Sequence, residues 1–233
     1  MKNVNDIVFI IQARLCSERL PQKMLKPFAD TNLMQIFAQK ISESQIIPPE
    51  NFYISVHEPE LIQFGKDNNL NVFERSKESC LYEGDVPIGV MYEWWDKLPY
   101  KYCVLINACA PFLEVATIDS FVETYIQSDF DGMFAVMEKK NYFWNKEGQF
   151  MTRWPEGQTA LNTKAVGITY EAAHCLYAGK MEPIGEGVWM GDFNKPGDIE
   201  LFPIKEEEAF DIDYPWQFKM AEARFSMEKH NDE

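Results

Sequence analysis

Histidine is scarce and cysteine is unpatterned in this chain. Its 233 residues hold three histidines, His57, His174 and His230, no two of them neighbours in sequence. A histidine metal cluster or a His-based nucleophilic triad therefore finds no support. The five cysteines, Cys16, Cys80, Cys103, Cys109 and Cys175, are odd in number and contain no C-x-x-C pair. That spacing excludes a disulfide framework and a zinc ribbon, and free thiols fit a reducing, cytoplasmic compartment. No apolar run approaches the roughly 20 residues of a membrane span. The short N-terminal run lacks a small-residue cleavage site, so it is expected to be a buried strand, not a leader. Positive charge is also short: 22 Lys and Arg stand against 37 Asp and Glu, a formal net charge of -15. Nucleic acid and anionic membrane surfaces need a positive footprint and are not expected partners. Two glycine-rich phosphate motifs are missing as well, G-x-x-x-x-G-K-[ST] and G-x-G-x-x-G, which excludes a P-loop and a dinucleotide fold of the usual kind.

What is present is an alternation of strand and helix signals. Ile7 to Ile11 and Tyr102 to Ala108 are apolar runs of the kind buried in a parallel sheet, and Phe52 to His57, Asn71 to Glu74 and Gly132 to Met137 are further strand candidates. Between them, Thr31 is expected to cap a helix with Leu33, Ile36, Phe37 and Ile41 on one face. Glu58 to Asn68 reads as a short helix, Pro87 opens another running to about Lys97, and Thr117 caps a helix with Ile118, Phe121, Val122 and Tyr125 at helical spacing. The pattern predicts an α/β fold with a doubly wound, mostly parallel sheet in a single domain spanning residues 1–233. After about residue 139 the rhythm changes. Residues 139–164 are rich in Trp, Asn, Gly and Gln and read as a hairpin or insertion. Ala165 to Tyr170 and Ile199 to Ile204 are later strand candidates, and Pro215 to Met227 a terminal helix.

Two constellations carry chemistry. The segment after the first strand, Q-A-R-L-C-S-E-R-L-P-Q-K, places Arg14, Ser17, Arg19 and Lys23 within ten residues. Open α/β sheets bind ligands beyond the carboxyl ends of their strands, which is where this loop lies. Arginine and lysine neutralise phosphate oxygens, arginine with paired hydrogen bonds. A solvated charged loop and an anion cradle both fit. The second constellation is D-I-D-Y-P near the C-terminus. Asp211 and Asp213 stand two apart, so in extended backbone they face one way and offer hard oxygen ligands to Mg²⁺. The alternative is that Asp213, ahead of Tyr214 and Pro215, caps the terminal helix.

The string Q-A-R-x-x-S-x-R-L-P-x-K-x-L resembles the N-terminal signature of the cytidylyltransferases that make CMP-activated acidic sugars, the acylneuraminate and Kdo enzymes and the spore-coat polysaccharide proteins related to them. Arg14, Ser17, Arg19, Leu20, Pro21, Lys23 and Leu25 match it, and Asp211 to Pro215 resembles the family's D-I-D-[T/Y]-P element. The resemblance implies a Rossmann-like nucleotide-diphospho-sugar transferase architecture. It also implies CTP as co-substrate, Mg²⁺ as cofactor, an acidic sugar such as a nonulosonate or Kdo as acceptor, a role in surface polysaccharide biosynthesis, and a homodimer. Arg14, Arg19, Lys23 and Asp211 are the implied catalytic residues. Ala13, Arg14, Ser17, Lys23, Arg75, Asp85 and Asn107 are implied at the nucleotide, Asn107, Arg153 and Lys164 at the sugar, and Asp211 and Asp213 at the metal.

The chain departs from the family at three places. Cys16 stands where the family usually has Gly, and Cys109 where Kdo-type enzymes have a metal-binding Asp. The family's Asn-Gly-Ala-Ile-Tyr element is matched only by Lys164 to Ile168. These departures leave two other readings: a nucleotide-binding homologue without turnover, and a sugar-nucleotide-dependent glycosyltransferase, which shares the sheet type and an Asp-x-Asp metal motif.

Overall fold

The computed structural model describes residues 1–81, 86–192, 195 and 198–231. Seven strands form one sheet: β1 (Ile7–Gln12), β2 (Phe52–Val56), β3 (Asn71–Glu74), β4 (Tyr102–Ile106), β5 (Gly132–Lys139), β6 (Thr169–Lys180) and β7 (Ile199–Ile204). The helices are α1 (Leu33–Glu43), α2 (Pro59–Asp67), α3 (Lys77–Cys80), α4 (Ile88–Met91), α5 (Val115–Gln127) and α6 (Pro215–Asn231). The spatial order is β3-β2-β1-β4-β6-β5-β7. β3, β2, β1 and β4 run parallel, β6 is antiparallel to both β4 and β5, and β7 is parallel to β5. The sheet is thus the doubly wound, mostly parallel one that the sequence predicts. The chain winds outward from β1 through β2 to β3, then crosses to β4 on the other side. That reversal between β1 and β4 is a topological switch point, where open α/β sheets leave a crevice.

β1 is the central beam because its side chains are apolar on both faces. Ile7, Phe9 and Ile11 enter one cluster with Leu33, Phe37, Ile118, Phe121 and Phe218 from α1, α5 and α6. Val8 and Ile10 enter a second, opposite cluster with Trp94, Cys103, Leu105, Ile184 and Trp189. The alternation follows from the two-residue period of a strand. Burying each such Phe or Ile side chain contributes about 1.5–3 kcal/mol.

The structure corrects several local expectations. Thr31 does not cap α1: its backbone is spent on a tight bridge with Phe28, and Asn32 caps instead, its side chain accepting from the Gln35 N–H at 2.9 Å. Thr117 lies inside α5, which begins after Glu114. The helix expected from Pro87 to Lys97 stops at Met91 and is followed by a 3₁₀ turn at Glu93–Trp95, which delivers Trp94 into the core. The strand expected at Ala165 to Tyr170 begins only at Thr169, after a 3₁₀ turn at Thr163–Ala165, and runs on to Lys180. Residues 170–175 read weakly as strand because Glu, Ala and His have low β propensity. Pairing of Glu171 and Ala172 with β5 overrides that propensity. Residues 139–164 do hold a small hairpin, closed by a bridge between Trp144 and Phe150. Rings of Tyr142, Trp144, Phe150 and Trp154 gather there, with centroids 5.1–6.4 Å apart.

At Gly132, which opens β5, an added Cβ would lie 1.6 Å from the Met190 carbonyl oxygen. Gly132→Ala must push β5 away from the backbone at Met190 and is expected to cost about 2–4 kcal/mol. A lower urea midpoint at unchanged m-value checks this; a midpoint equal to that of the parent protein contradicts it.

Candidate active site

The crevice at the switch point is a cavity of about 320 Å³ lined by Gln12, Arg14, Arg75, Tyr92, Asn107, Tyr177 and Trp189, among others. Every polar lining residue has its position fixed by the fold. Gln12 ends β1, and its side-chain oxygen accepts from the buried Trp94 indole N–H at 3.0 Å. Asn107 follows β4. Its amide Nδ2 donates to the His174 carbonyl and its Oδ1 accepts from the Cys109 N–H, both at 2.9 Å. Arg14 donates to the Cys80 carbonyl at 3.2 Å. Arg75, almost fully buried after β3, donates to the carbonyl of Ala13 at 2.7 Å and of Ser79 at 3.3 Å. Arg75 thereby braces the start of the first loop while adding its charge to the cavity wall. A chain of net charge -15 thus presents two guanidinium groups in one cleft.

The acidic pair is joined to this cleft by the loop after β4. The Ile212 N–H donates to the Cys109 carbonyl at 2.9 Å, so residues 211–213 lie against the loop that carries Asn107. Lys23, buried, reaches across from the first loop. Its ammonium donates to the Ile212 carbonyl at 2.7 Å and stands 3.4 Å from Asp213 Oδ1. Burial works against this ammonium, but the neighbouring Cys109, Asp211 and Asp213 outweigh it and hold its pKa above the usual lysine value. Arg19 completes the network, with its guanidinium 2.9 Å from Asp213 and stacked 5.1 Å over the Tyr214 ring.

The two carboxylates end up in different states. Asp213 is ion-paired. It does not cap α6: Gln217 does, its side-chain oxygen accepting from the N–H groups of Asp213 and Tyr214 at 2.8 Å each. Asp211 Oδ1 is buried and has no hydrogen-bond partner among the described residues. Burial, then the neighbouring charge of Asp213, raises the Asp211 pKa above the usual carboxylate value. An unsatisfied, desolvated carboxylate oxygen beside a second carboxylate is a donor set that fits a hard divalent cation. Cys109 does not extend that set as an aspartate would. Burial pushes its thiol up to about 11, leaving it neutral at physiological pH.

Of the expected residues, Arg14, Arg75 and Asn107 line the cavity; Arg19, Lys23 and Asp213 form a network beside it, with Asp211, that meets the cavity wall through the loop carrying Asn107 and Cys109, and Ser17 is half-buried on the first loop. Arg153 and Lys164 are exposed on the segment between β5 and β6 and do not line the cavity. Asp85 lies outside the described residues. Sequence reasoning missed Gln12, Tyr177 and His174. Gln12 carried a signal, as it opens the Q-A-R string. Tyr177 and His174 carried little, being hidden in the unrecognised β6. His174 adopts a left-handed backbone, φ +55°, where the pairing of β5 with β6 shifts register, an uncommon conformation for a residue with a side chain. Its ring nitrogen lies 3.3 Å from the Tyr177 hydroxyl.

Comparison with known proteins gives this geometry a setting. A family model described as cytidylyltransferase matches residues 8–151, well over half of the chain. Over 41 residues the chain is 46% identical to spore coat polysaccharide biosynthesis protein SpsF of Bacillus subtilis (strain 168). That stretch is 18% of this chain and 17% of that protein, so the match spans less than a fifth of the curated relative's length. Among solved structures, a CMP:2-keto-3-deoxy-manno-octonic acid synthetase complexed with CTP superposes with a TM-score of 0.67 at 12% identity, covering 95% of this chain and 99% of that one. A cytidylyltransferase from Leptospira borgpetersenii serovar Hardjo-bovis (strain JB197) gives 0.61 at 15% identity, covering 95% and 87%. The 4-diphosphocytidyl-2C-methyl-D-erythritol synthase of Anaerococcus prevotii DSM 20548 gives 0.64 at 10% identity, covering 94% and 96%. At these identities the likeness is one of fold. No helix among the described residues is long and apolar enough to cross a membrane.

A carboxyl whose folded-state pKa is raised binds its proton more tightly folded than unfolded. Its protonation adds stability at low pH, and that stability is lost as pH rises through the raised value. At pH 7 the Asp211 charge therefore costs stability. Asp211→Asn is expected to raise the urea midpoint at pH 7, with the advantage fading as pH falls through the raised value and the parent carboxyl takes up its proton. A variant less stable than the parent at pH 7 contradicts the strained-carboxylate reading.

Proposed function

The chain belongs to the cytidylyltransferase family, and from that premise we propose that it transfers CMP from CTP to the anomeric hydroxyl of an acidic sugar, a nonulosonate or Kdo, releasing pyrophosphate. The observation that carries this reading is the Lys23 bridge. It ties the loop whose first cation, Arg14, lines the switch-point cleft to a carboxylate pair with an unsatisfied buried oxygen. A fold of this kind with a triphosphate-sized anionic demand on one side and a divalent-cation demand on the other suits nucleotidyl transfer, which needs positioning and charge stabilisation above all.

In this reading Arg14, Arg19 and Lys23 neutralise the triphosphate. Arg75 holds the first loop in shape through the Ala13 carbonyl. Asn107, its amide oriented by His174 and Cys109, meets the nucleoside or the sugar. Asp211 and Asp213 would hold Mg²⁺, which supplies neutralisation of phosphate charge as pyrophosphate departs. Arg19 and Lys23, now paired with Asp213, are then shared between that carboxylate and phosphate oxygens. Loss of pyrophosphate is favoured because cations face the oxygens on which charge grows.

The acidic acceptor is supported by the motifs at the two ends of the chain, and the short SpsF match supports a role in polysaccharide biosynthesis. The test is pyrophosphate release with CTP and Mg²⁺ across a panel of acidic sugars, with UTP and ATP as controls. The expected result is release with CTP and at least one acidic sugar. It should fall by about a thousandfold or more when Asp211 and Asp213 are both replaced by Ala. Full activity in that double variant, or turnover only with neutral acceptors, sinks the proposal.

A further inference from the structure

Cys16 and Cys80 lie far apart in sequence but meet behind the first loop. Their sulfurs and a carboxylate oxygen of Glu58 all lie within 4.8 Å of one another. Cys16 is exposed and Cys80 is buried at the end of α3. Glu58 Oε1 accepts from the Leu15 N–H at 2.7 Å and stands 3.7 Å from Cys80 Sγ. Glu58 Oε2 is buried with no hydrogen-bond partner among the described residues. The Arg75 guanidinium is 3.8 Å from Cys80 Sγ, and Arg14 donates to the Cys80 carbonyl. The cluster therefore touches the two arginines that line the cleft.

Three donors alone can suggest a metal site, but this one is poorly made for a cation. A dication would stand against the Arg75 guanidinium, 3.8 Å from the Cys80 sulfur. Thiol oxidation fits better. Disulfide sulfurs sit about 2 Å apart, so the gap to close is less than about 3 Å, and Cys16 is on a loop that can supply the movement.

We propose that Cys16 and Cys80 are a peroxide-responsive pair, whose disulfide pins the first loop against α3 and removes triphosphate binding. The Cys16 sulfur attacks one oxygen of hydrogen peroxide. The O–O bond breaks, water leaves, and Cys16 becomes a sulfenic acid. The Cys80 sulfur then attacks the Cys16 sulfur, the S–O bond breaks, and the departing hydroxide leaves as water with the proton that Cys80 first gives to Glu58. Two thiols lose two electrons in total and one peroxide becomes two waters. A thiol reductant reverses the bond by exchange. The loop is affected because Cys16 lies between Arg14 and Arg19, whereas Cys80 is held in the core.

The effect on triphosphate binding rests on the function proposed above, but the modification itself does not, and the experiment keeps them apart. Full-length protein is treated with a stoichiometric amount of hydrogen peroxide, then analysed by intact mass and non-reducing peptide mapping. CTP-dependent thermal stabilisation is measured alongside, with Mg²⁺ present. The expected result is a mass loss of about 2 Da, a linked peptide joining Cys16 to Cys80, and loss of the CTP-dependent shift, restored by a thiol reductant. Cys16→Ser should form no link and keep its CTP response after peroxide. Oxygen added to Cys16 without a link to Cys80 overturns the pair. A link that leaves the CTP response intact overturns the regulation. A link in protein that shows no CTP response even when reduced upholds the pair and counts against the function proposed above.

Discussion

A buried ammonium must be compensated where it stands, and Lys23 is compensated by the far end of its own chain. It donates to the Ile212 carbonyl and faces Asp213, 190 residues away. Leaving either side of such a contact unpaired costs several kcal/mol, so the first loop and the C-terminal segment are held together as one unit. Much of the site follows from this contact. It sets Asp211 and Asp213 beside the loop after β4. It also leaves Arg19 free to reach Asp213 from the rim, and ties the loop that starts at the cleft with Arg14 to the carboxylate pair.

The site is locally positive on an acidic protein, and it is built against stability. Arg14 and Arg75 share one cavity, while Asp211 has a buried oxygen that nothing satisfies among the described residues. In the proposed reading, the burial that raises the Asp211 pKa is offset when a divalent cation binds beside it. Cys109 sharpens the point. A neutral thiol there leaves the carboxylate pair as the cation's protein ligands in this reading.

Much of this was legible in the sequence, for physical reasons that can be named. Buried parallel strands are apolar on both faces, so β1, β2 and β4 announce themselves. The clustered charges of the first loop and the D-I-D segment fit a solvated surface as well as a site, and it is the resemblance of both to family motifs that singles them out. Helix starts were less legible because a cap depends on what else uses the residue: Thr31 is taken by its bridge to Phe28, and Asn32 caps in its place. Most of β6 was not legible, since its Glu-Ala-Ala-His stretch has weak strand propensity: Glu171 and Ala172 pair with β5 alone, and His174 breaks the extended run before β4 pairing begins at Leu176. With β6 went Tyr177 and the left-handed His174. The bond from Trp94 to Gln12, which orients a cleft-lining amide across 82 residues, leaves no trace in local pattern at all. Arg153 and Lys164 were placed by resemblance alone, and the structure sets them outside the cleft.

The central claim is that cleft cations and the carboxylate pair act together on a metal–triphosphate. Calorimetric titration of CTP with and without Mg²⁺, in the parent protein and in Asp211→Asn, tests it most directly. The account predicts that Mg²⁺ tightens CTP binding at least about tenfold, a coupling of about 1.4 kcal/mol, and that Asp211→Asn abolishes the Mg²⁺ effect while CTP alone still binds. CTP binding that is indifferent to Mg²⁺ in the parent protein, or a Mg²⁺ effect that survives in Asp211→Asn, would contradict it.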